Sequence, residues 1–130
     1  MLLHMTKIAY TSKSIAELRG WVERGDEARM ITRYLPRRHA EMVGGSLYWI
    51  MDHTLVARCA ILGFGQNEDA RTIIRLAPLL VPVQPRARRA HQGWRYLAPA
   101  DAPPDLAPGE VAGDALPSRL VRELAKLGLT

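Results

Sequence analysis

Arginine is the residue type in this sequence whose chemistry and spacing point most directly to binding. Fifteen of the eighteen basic residues are arginine, and a guanidinium makes bidentate contacts to phosphate or carboxylate and stacks on flat rings. Residues 28–97 hold eleven basic and four acidic side chains, whereas the sequence on either side is balanced or acidic. The clustering predicts an anionic partner. A solvated, arginine-rich surface set by codon usage is the alternative, and it accounts for the bias better than for the clustering.

Two arginine clusters lie within this range. The first arginine cluster is Arg33, Arg37 and Arg38, and the second arginine cluster is Arg86, Arg88, Arg89 and Arg95. Nucleic-acid surfaces combine guanidinium groups, which bind phosphate, with exposed rings that stack on unpaired bases. We therefore predict a nucleic-acid or anion site built from both clusters, with Tyr48 or Trp94 against a base. Six of these arginines, all except Arg33, on the phosphates of one strand would give a log-log salt slope of roughly −4.

The aromatic residues near these clusters have a second interpretation. Tryptophan is highly buried on average, and arginine stems often cover apolar surface while the charged head stays in water. Trp49 and Trp94 would then be core residues that the arginines border. Within the segment 84–97, "QPRARRAHQ" is basic, while "GWRYL" alternates as a half-buried strand does. We expect Trp94 and Tyr96 to anchor the fold, with the preceding arginines exposed.

Catalytic and metal chemistry have little support in the sequence. No histidine pairs with another histidine or a cysteine at metal-ligand spacing, which applies to His4, His39, His53 and His91. Cys59 lies in the apolar stretch "ARCAIL", which predicts a buried thiol, and Ser46 lacks the context of a hydrolase nucleophile. We therefore predict no metal, no cofactor and no catalytic residue.

Hydrophobic periodicity places these residues on a series of strands and helices. Ser14 and Glu17 fit a capping box at the start of a helix that ends near Gly25. Pro36 opens a second, short helix. Strands are predicted over residues 4–11, 28–35, 46–51, 55–63 and 71–77, with Asp52 and His53 in a hairpin turn. The stretch "PLLVPVQP" has three prolines, which favours an edge segment over a central strand.

The remainder of the chain completes a single predicted domain over residues 1–130. Residues 98–117 contain five prolines, which predicts an extended connection. Residues 118–128 carry one apolar stripe, which predicts a terminal helix docked on the body. The amino end lacks a basic segment followed by a long apolar one, so we expect a cytoplasmic protein with no membrane segment.

Several long motifs resemble domain-of-unknown-function family 1489, a group of small bacterial proteins. They are "TRYLPRR", "GGSLYWIM" and "QPRARRAHQGWRYL" followed by "DAPPDL". The resemblance covers nearly the whole chain and implies a bacterial, cytoplasmic setting, but no mechanism, because the role of the family is not established. The chain departs from the pattern at Asp52 and His53, where the family tends to have Lys and Gly. It departs again at Ala90 and His91, where the family tends to have Pro and Phe.

A looser resemblance concerns architecture. The short Pro-Arg helix, the glycine turn and the strands "GGSLYW" and "LVARCAILGF" resemble the small PUA, ASCH and EVE barrel domains, which often bind RNA or a modified base. Such an analogy supports a fold better than a function. We predict an α+β domain in which a mainly antiparallel sheet closes into a small PUA-like barrel. An N-terminal helix, the short Pro-Arg helix and a C-terminal helix would complete it.

Three functions are compatible with these residues. The preferred one is a non-catalytic module that binds RNA or an unpaired nucleic-acid strand through the two arginine clusters. The second is an enzyme or sensor for a small anionic molecule such as a nucleotide, with a pocket formed by the glycine turn and Arg37. The third is a protein-interaction subunit whose basic face meets an acidic partner.

Overall fold

A computed structural model describes residues 2–9 and 12–106 of the chain. Within these residues the chain forms seven strands and two α-helices. The strands are β1 (His4–Ile8), β2 (Ala28–Thr32), β3 (Ser46–Met51), β4 (Thr54–Gln66), β5 (Thr72–Leu76), β6 (Val81–Ala87) and β7 (Trp94–Leu97). The helices are α1 (Ile15–Val22) and α2 (His39–Met42), and a short 3-10 helix spans Pro99–Asp101.

The strands form one seven-stranded sheet around the long strand β4. Their order is β2-β5-β4-β3-β1-β7, and β6 pairs with β4. The first half of β4 pairs with β3 and β6, and its second half pairs with β5. All of these ladders are antiparallel except β1 with β3, which is parallel. The predicted antiparallel succession of β3, β4 and β5 is therefore confirmed, and β1 joins it from a distant part of the sequence.

Helix α1 begins at the predicted residue, whereas α2 begins at His39, three residues after Pro36, where the sequence predicts its first turn. The Ser14 hydroxyl accepts a hydrogen bond from the Glu17 N–H at 3.1 Å, which satisfies one free amide of the first turn of α1. Ile15, Leu18 and Val22 are buried and form the apolar face of α1. Helix α2 is a single turn that follows Pro36, and Gly44 takes a positive φ of 89° just beyond it.

The glycine pair after α2 allows β3 to lie close to the amino-terminal segment. A Cβ atom at Gly45 would clash with the carbonyl oxygen of Leu3, so a side chain is excluded there. The next amide, that of Ser46, donates to Nδ1 of His4 at 2.9 Å. The "GGS" sequence is thus explained by the close approach of two backbones.

The two faces of the sheet bury separate apolar clusters. Along β3, Leu47 and Trp49 contribute to a large cluster that α1 also joins. The intervening Tyr48 and Ile50 belong to a smaller cluster on the opposite side, with Leu55, Val83 and Leu97. Every residue of β3 is buried as a result, and Trp49 is only 2% exposed.

The predicted closed barrel is wrong. In the described part of the chain no ladder joins β6 to β7, so the sheet remains open between them. The physical reason lies in β6, where Pro82 and Pro85 have no N–H to donate, which suits a strand with one paired edge. The expected edge character of this proline-rich stretch is therefore confirmed.

The expectation of three helices is also not confirmed. Residues 2–9 and 12–106 contain two α-helices, and the terminal helix predicted over 118–128 lies outside the described residues. The first part of the predicted extended connection, residues 98–106, contains the 3-10 helix and an isolated bridge between Val83 and Asp105. The remainder of that connection is outside the described residues. None of the described helices is long and apolar enough to span a membrane.

Candidate anion-binding cleft

The second arginine cluster borders an open cleft at the edge of the sheet. The cleft has a volume of about 610 Å³ and is lined by Ala87, Arg88, Arg89, Ala90, His91 and Arg95. We call it the arginine cleft. Among these lining residues there are three guanidinium groups and no carboxylate. The arrangement is therefore strongly positive and concave, which is the form that favours a bound anion.

Hydrogen bonds to the β3–β4 turn and to β1 hold the loop between β6 and β7 in place. The Arg88 N–H donates to the backbone carbonyl of His53 at 2.8 Å, and the Ala90 N–H donates to the ring Nδ1 of His53 at 3.1 Å. On the other side of the loop, the His91 Nε2 and the Thr6 hydroxyl lie 2.7 Å apart. Arg88 and Arg89 thus lie in a loop that is fastened to the β3–β4 turn and to β1, and Arg95 reaches the cleft from β7.

His53 is a residue that the sequence analysis did not assign to the site. Both residues of the β3–β4 turn have positive φ, 52° for Asp52 and 57° for His53, as expected of a tight hairpin turn. This backbone points the His53 ring and carbonyl toward the arginine-bearing loop. The signal in the sequence is the pair of departures expected from the resemblance, because the segments 52–53 and 90–91 meet here.

His91 lies among positive charges. Burial lowers the pKa of its imidazole, and the guanidinium groups of Arg95 and Arg88 and the ammonium of Lys7 lower the pKa further, since a second positive charge is unfavourable there. The Gln92 carbonyl, 3.3 Å from Nδ1, acts in the opposite direction. The ring is therefore held in its neutral form in the free protein at neutral pH.

Arg86 and the first arginine cluster lie outside the cleft lining. One guanidinium nitrogen of Arg86 donates to the backbone carbonyl of Asp101 at 3.0 Å, which ties β6 to the 3-10 helix. Arg38 forms a two-point ion pair with Glu41 at 2.7 and 2.8 Å. Arg33 lies 5.9 Å from the Tyr34 ring centre, and Arg37 is exposed.

The two arginine clusters approach each other at the edge strand β7. The Arg38 guanidinium lies 5.8 Å from the centre of the Tyr96 ring, and the Arg38 N–H donates to the Tyr96 hydroxyl at 3.3 Å. Arg95, which lines the cleft, is the preceding residue of the same strand. Because successive strand residues point to opposite faces, Arg38 and Arg95 lie at one edge but on opposite faces of the sheet, so the two clusters do not line one common cleft.

The rings near this edge differ in their exposure. Trp94 is half-buried against the large apolar cluster, and Tyr96 is 37% exposed. Their ring centres are 4.8 Å apart in an edge-to-face arrangement. Tyr48, in contrast, is 5% exposed, and its ring packs edge-on against His4. Tyr96 is therefore the ring of this group with an accessible surface, and Tyr48 belongs to the core.

A second polar group lies on the same side of the sheet as Tyr48. Arg58 binds both carboxylate oxygens of Asp105 at 2.8 Å and donates to the Ser46 hydroxyl at 3.0 Å. This bridge joins β4 to the segment after the 3-10 helix. The Ser46 hydroxyl thus accepts from a guanidinium rather than facing a catalytic base. Among the described residues, no cluster of His, Cys, Asp and Glu side chains has the geometry to hold a metal ion.

Comparison with known proteins identifies a family. A protein-family model matches residues 5–130, and its description reads "Protein of unknown function (DUF1489)". No curated protein and no solved structure matches the chain. The resemblance noted from the motifs is therefore confirmed over almost the whole length, while the likeness to PUA domains is not.

Proposed function

Because this chain belongs to the family of unknown function DUF1489, we propose its function from its own geometry, as a non-catalytic module that binds RNA or an unpaired nucleic-acid strand. The observation that carries the proposal is the arginine cleft, where Arg88, Arg89 and Arg95 line one concavity without a described carboxylate. Guanidinium groups bind phosphate oxygens in a bidentate manner, and nucleic-acid proteins use them to hold the backbone.

The edge strand β7 supports the proposal because it presents an aromatic ring beside the cleft. Tyr96 is partly exposed and follows Arg95 directly in β7. A nucleic-acid strand whose phosphate occupies the cleft can cross this edge of the sheet and place an unpaired base on the Tyr96 ring, beside the Arg38 guanidinium. Trp94 supports the Tyr96 ring from the side. In this proposal Tyr96 takes the base-contact role first assigned to Tyr48 or Trp94.

The remaining arginines have secondary roles in the proposal. Arg33 and Arg37 are exposed and provide diffuse positive charge along the path of a longer strand. Arg38 contributes mainly by stacking, because Glu41 already neutralises its charge. The positive charge of Arg86 is not offset by a described carboxylate, since its described partner is a backbone carbonyl. Arg86 also stabilises the base of the loop.

Fluorescence anisotropy with a labelled mixed pool of RNA and single-stranded DNA tests this proposal. If each of the three cleft arginines contacts a separate phosphate, the logarithm of the association constant should fall with the logarithm of salt concentration with a slope of about −2, and one phosphate held by all three would give about −0.7. Replacing Arg88, Arg89 and Arg95 by Gln should abolish most of the binding. A protein that binds no oligonucleotide at low salt contradicts the proposal.

A matched control removes the same charge elsewhere. Arg24, Arg29 and Arg71 are exposed and lie on or beside strands β2 and β5 or the end of α1, at the far end of the sheet order from β7. Their replacement by Gln lowers the net charge equally. Equal loss of binding in the two triple variants would indicate attraction by net charge alone rather than by the cleft.

The volume of the cleft favours a second candidate, a binding protein for a small anion such as a nucleotide. Clefts that hold small ligands have volumes of about 300 to 1,000 Å³, and the arginine cleft is within this range. Thermal shift measurements with a panel of mononucleotides distinguish the two candidates. Stabilisation by a mononucleotide equal to that by an oligonucleotide, with no dependence on length, would favour the small ligand.

A further inference from the structure

The cationic groups of the arginine cleft border one open concavity. Arg88 and Arg89 are adjacent in the loop, and Arg95 reaches the same cleft from β7. We propose that the cleft takes a terminal phosphate, the phosphate monoester at the end of a nucleic-acid strand, in preference to an internal phosphodiester. This inference rests on the proposed function and names the part of the strand that the cleft recognises.

The number of charges and oxygen atoms favours the monoester. A phosphodiester has one negative charge and two non-bridging oxygens, whereas a monoester has a charge of about −1.5 to −2 at neutral pH and three strong acceptor oxygens. Each guanidinium offers five donors in a planar fork. Three guanidinium groups around one concavity can therefore meet three oxygens of one phosphate, and an internal phosphate would leave donors unused.

His91 adds a fourth group that responds to the charge of the ligand. It is flanked by Arg88 in its own loop, Arg95 from β7 and Lys7 from β1, and these cations disfavour its protonated form. A doubly charged phosphate in the cleft opposes their effect. Protonation needs only a rotation of the Thr6 hydroxyl, which then accepts from Nε2, while the Gln92 carbonyl accepts from Nδ1.

This arrangement couples binding of a monoester to the uptake of a proton. The free imidazole is neutral near pH 7, and the bound phosphate raises its pKa, so affinity for the monoester should increase as pH falls from about 8 to about 6.5. A phosphodiester, with a single negative charge, should produce a weaker pH dependence. In the His91→Gln variant, the glutamine side chain keeps hydrogen-bonding capacity but cannot accept a proton. The affinity of this variant should therefore depend only weakly on pH with both ligands.

The experiment compares oligonucleotides that differ only at their ends. Three ten-nucleotide strands of one sequence carry an internal fluorophore and a 5′-phosphate, a 3′-phosphate, or hydroxyl groups at both ends. We expect one of the phosphorylated strands to bind about tenfold more tightly than the hydroxyl strand, and the two phosphorylated strands show which end is recognised. The single variant Arg89→Gln should lose this preference, while Arg71→Gln, which lies away from the cleft, should retain it.

The outcomes separate the inference from the proposed function. Equal binding of all three strands, with a normal salt slope, overturns the terminal-phosphate inference and leaves the nucleic-acid proposal intact. Absence of salt-sensitive binding to all three strands overturns both. Circular dichroism of the Arg89→Gln and His91→Gln variants shows that they are folded, so that a lost preference reports on the cleft.

Discussion

The thiol of Cys59 illustrates how a single residue is determined by its neighbours. Its side chain is fully buried on the face of β4 opposite Arg58, and the Trp49 indole N–H donates to its sulfur at 3.3 Å. Burial raises the pKa of the thiol to about 11, and this effect outweighs the opposing hydrogen bond from Trp49. The thiol is therefore a packed, protonated group, as its apolar sequence context predicted.

Cys59 should resist alkylation in the folded protein. Iodoacetamide at pH 8 should modify native protein at a small fraction of the rate measured in urea, because the reactive thiolate is both rare and inaccessible. Since Cys59 is the only cysteine, mass spectrometry of the intact protein reports on this thiol alone. Equal rates with and without urea would contradict its burial.

The same residue affects stability at high pH. Folding raises the pKa of the Cys59 thiol above its value in the unfolded chain. The protonated thiol therefore contributes fully to the free energy of unfolding below about pH 8.5, and this contribution is lost as pH rises toward about 11.

At the scale of elements, the β3–β4 turn and the β6–β7 loop form one structural unit. His53 has a left-handed backbone, which costs about 1 kcal/mol or more for a residue with a side chain. In return, its ring accepts the Ala90 N–H. The pattern expected from the resemblance has Gly at position 53, which has no ring, and Pro at position 90, which has no N–H. On that expectation the two departures compensate each other in this chain.

A double-mutant cycle tests this compensation. His53→Gly relieves the backbone and removes the acceptor, Ala90→Pro removes the donor, and the double variant restores both family residues. We expect a coupling energy of about 1 kcal/mol between the two positions in urea unfolding, because either single change breaks the same hydrogen bond.

The control cycle combines His53→Gly with Ala16→Gly on the exposed side of α1. Distant positions should be additive within about 0.5 kcal/mol. If the His53 and Ala90 cycle is equally additive, the hydrogen bond does not join the turn to the loop in solution.

At the scale of the whole molecule, the ion pair between Arg58 and Asp105 joins the last described segment to the middle of the sheet. The adjacent backbone strengthens this attachment, since Leu106 donates to the Pro82 carbonyl at 3.1 Å and Gln84 donates to the Pro104 carbonyl at 2.9 Å. The segment thereby covers the smaller apolar cluster, which includes Val83. This segment covers apolar side chains that the strands of a closed barrel would otherwise have covered.

Removing this ion pair should destabilise the protein in a pH-dependent manner. Asp105→Asn should cost about 1 kcal/mol near pH 7, equivalent to a melting temperature lower by about 4 °C, because the pair is bidentate but partly exposed. The hydrogen bond from Arg58 lowers the pKa of Asp105 below its usual value. Its contribution is therefore present above about pH 4 and is lost as pH falls through the folded pKa.

The measurement compares melting temperatures of both proteins between pH 7 and pH 3. The difference should shrink toward pH 3. Asp101→Asn is the matched control, because its side chain has no hydrogen bond or ion pair within the described residues and the substitution is chemically identical. A difference that stays constant with pH would show that the charge of Asp105 does not stabilise the fold.

Local features of the sequence were sufficient to predict most individual elements. Strand β3 has the predicted bounds, and α1 begins at the predicted Ser14 cap. The turn at Asp52 and His53 and the strand "WRYL" were also predicted. These features depend on caps, turns and alternation within a few residues, so the sequence carries them directly.

The sequence predicted which residue types form the candidate site, but not the full set of residues in it. The sequence identified Arg88, Arg89 and Arg95 as one group because they are close along the chain. It did not identify His53, which is distant in sequence, or the exchange of roles between Tyr48 and Tyr96. The alternation of side chains along a strand shows that the strand has two faces, but it does not show which faces are buried. Both faces of β3 are buried because segments distant in sequence pack against them.

By itself, then, the sequence determined the elements, the family and the placement of positive charge. The tertiary structure decided the parallel pairing of β1 with β3, the open edge between β6 and β7, and the convergence of the arginines on one cleft. The physical reason is range. Caps, turns and periodicity act between neighbouring residues, whereas strand order, closure and cleft shape depend on contacts between segments far apart in the chain.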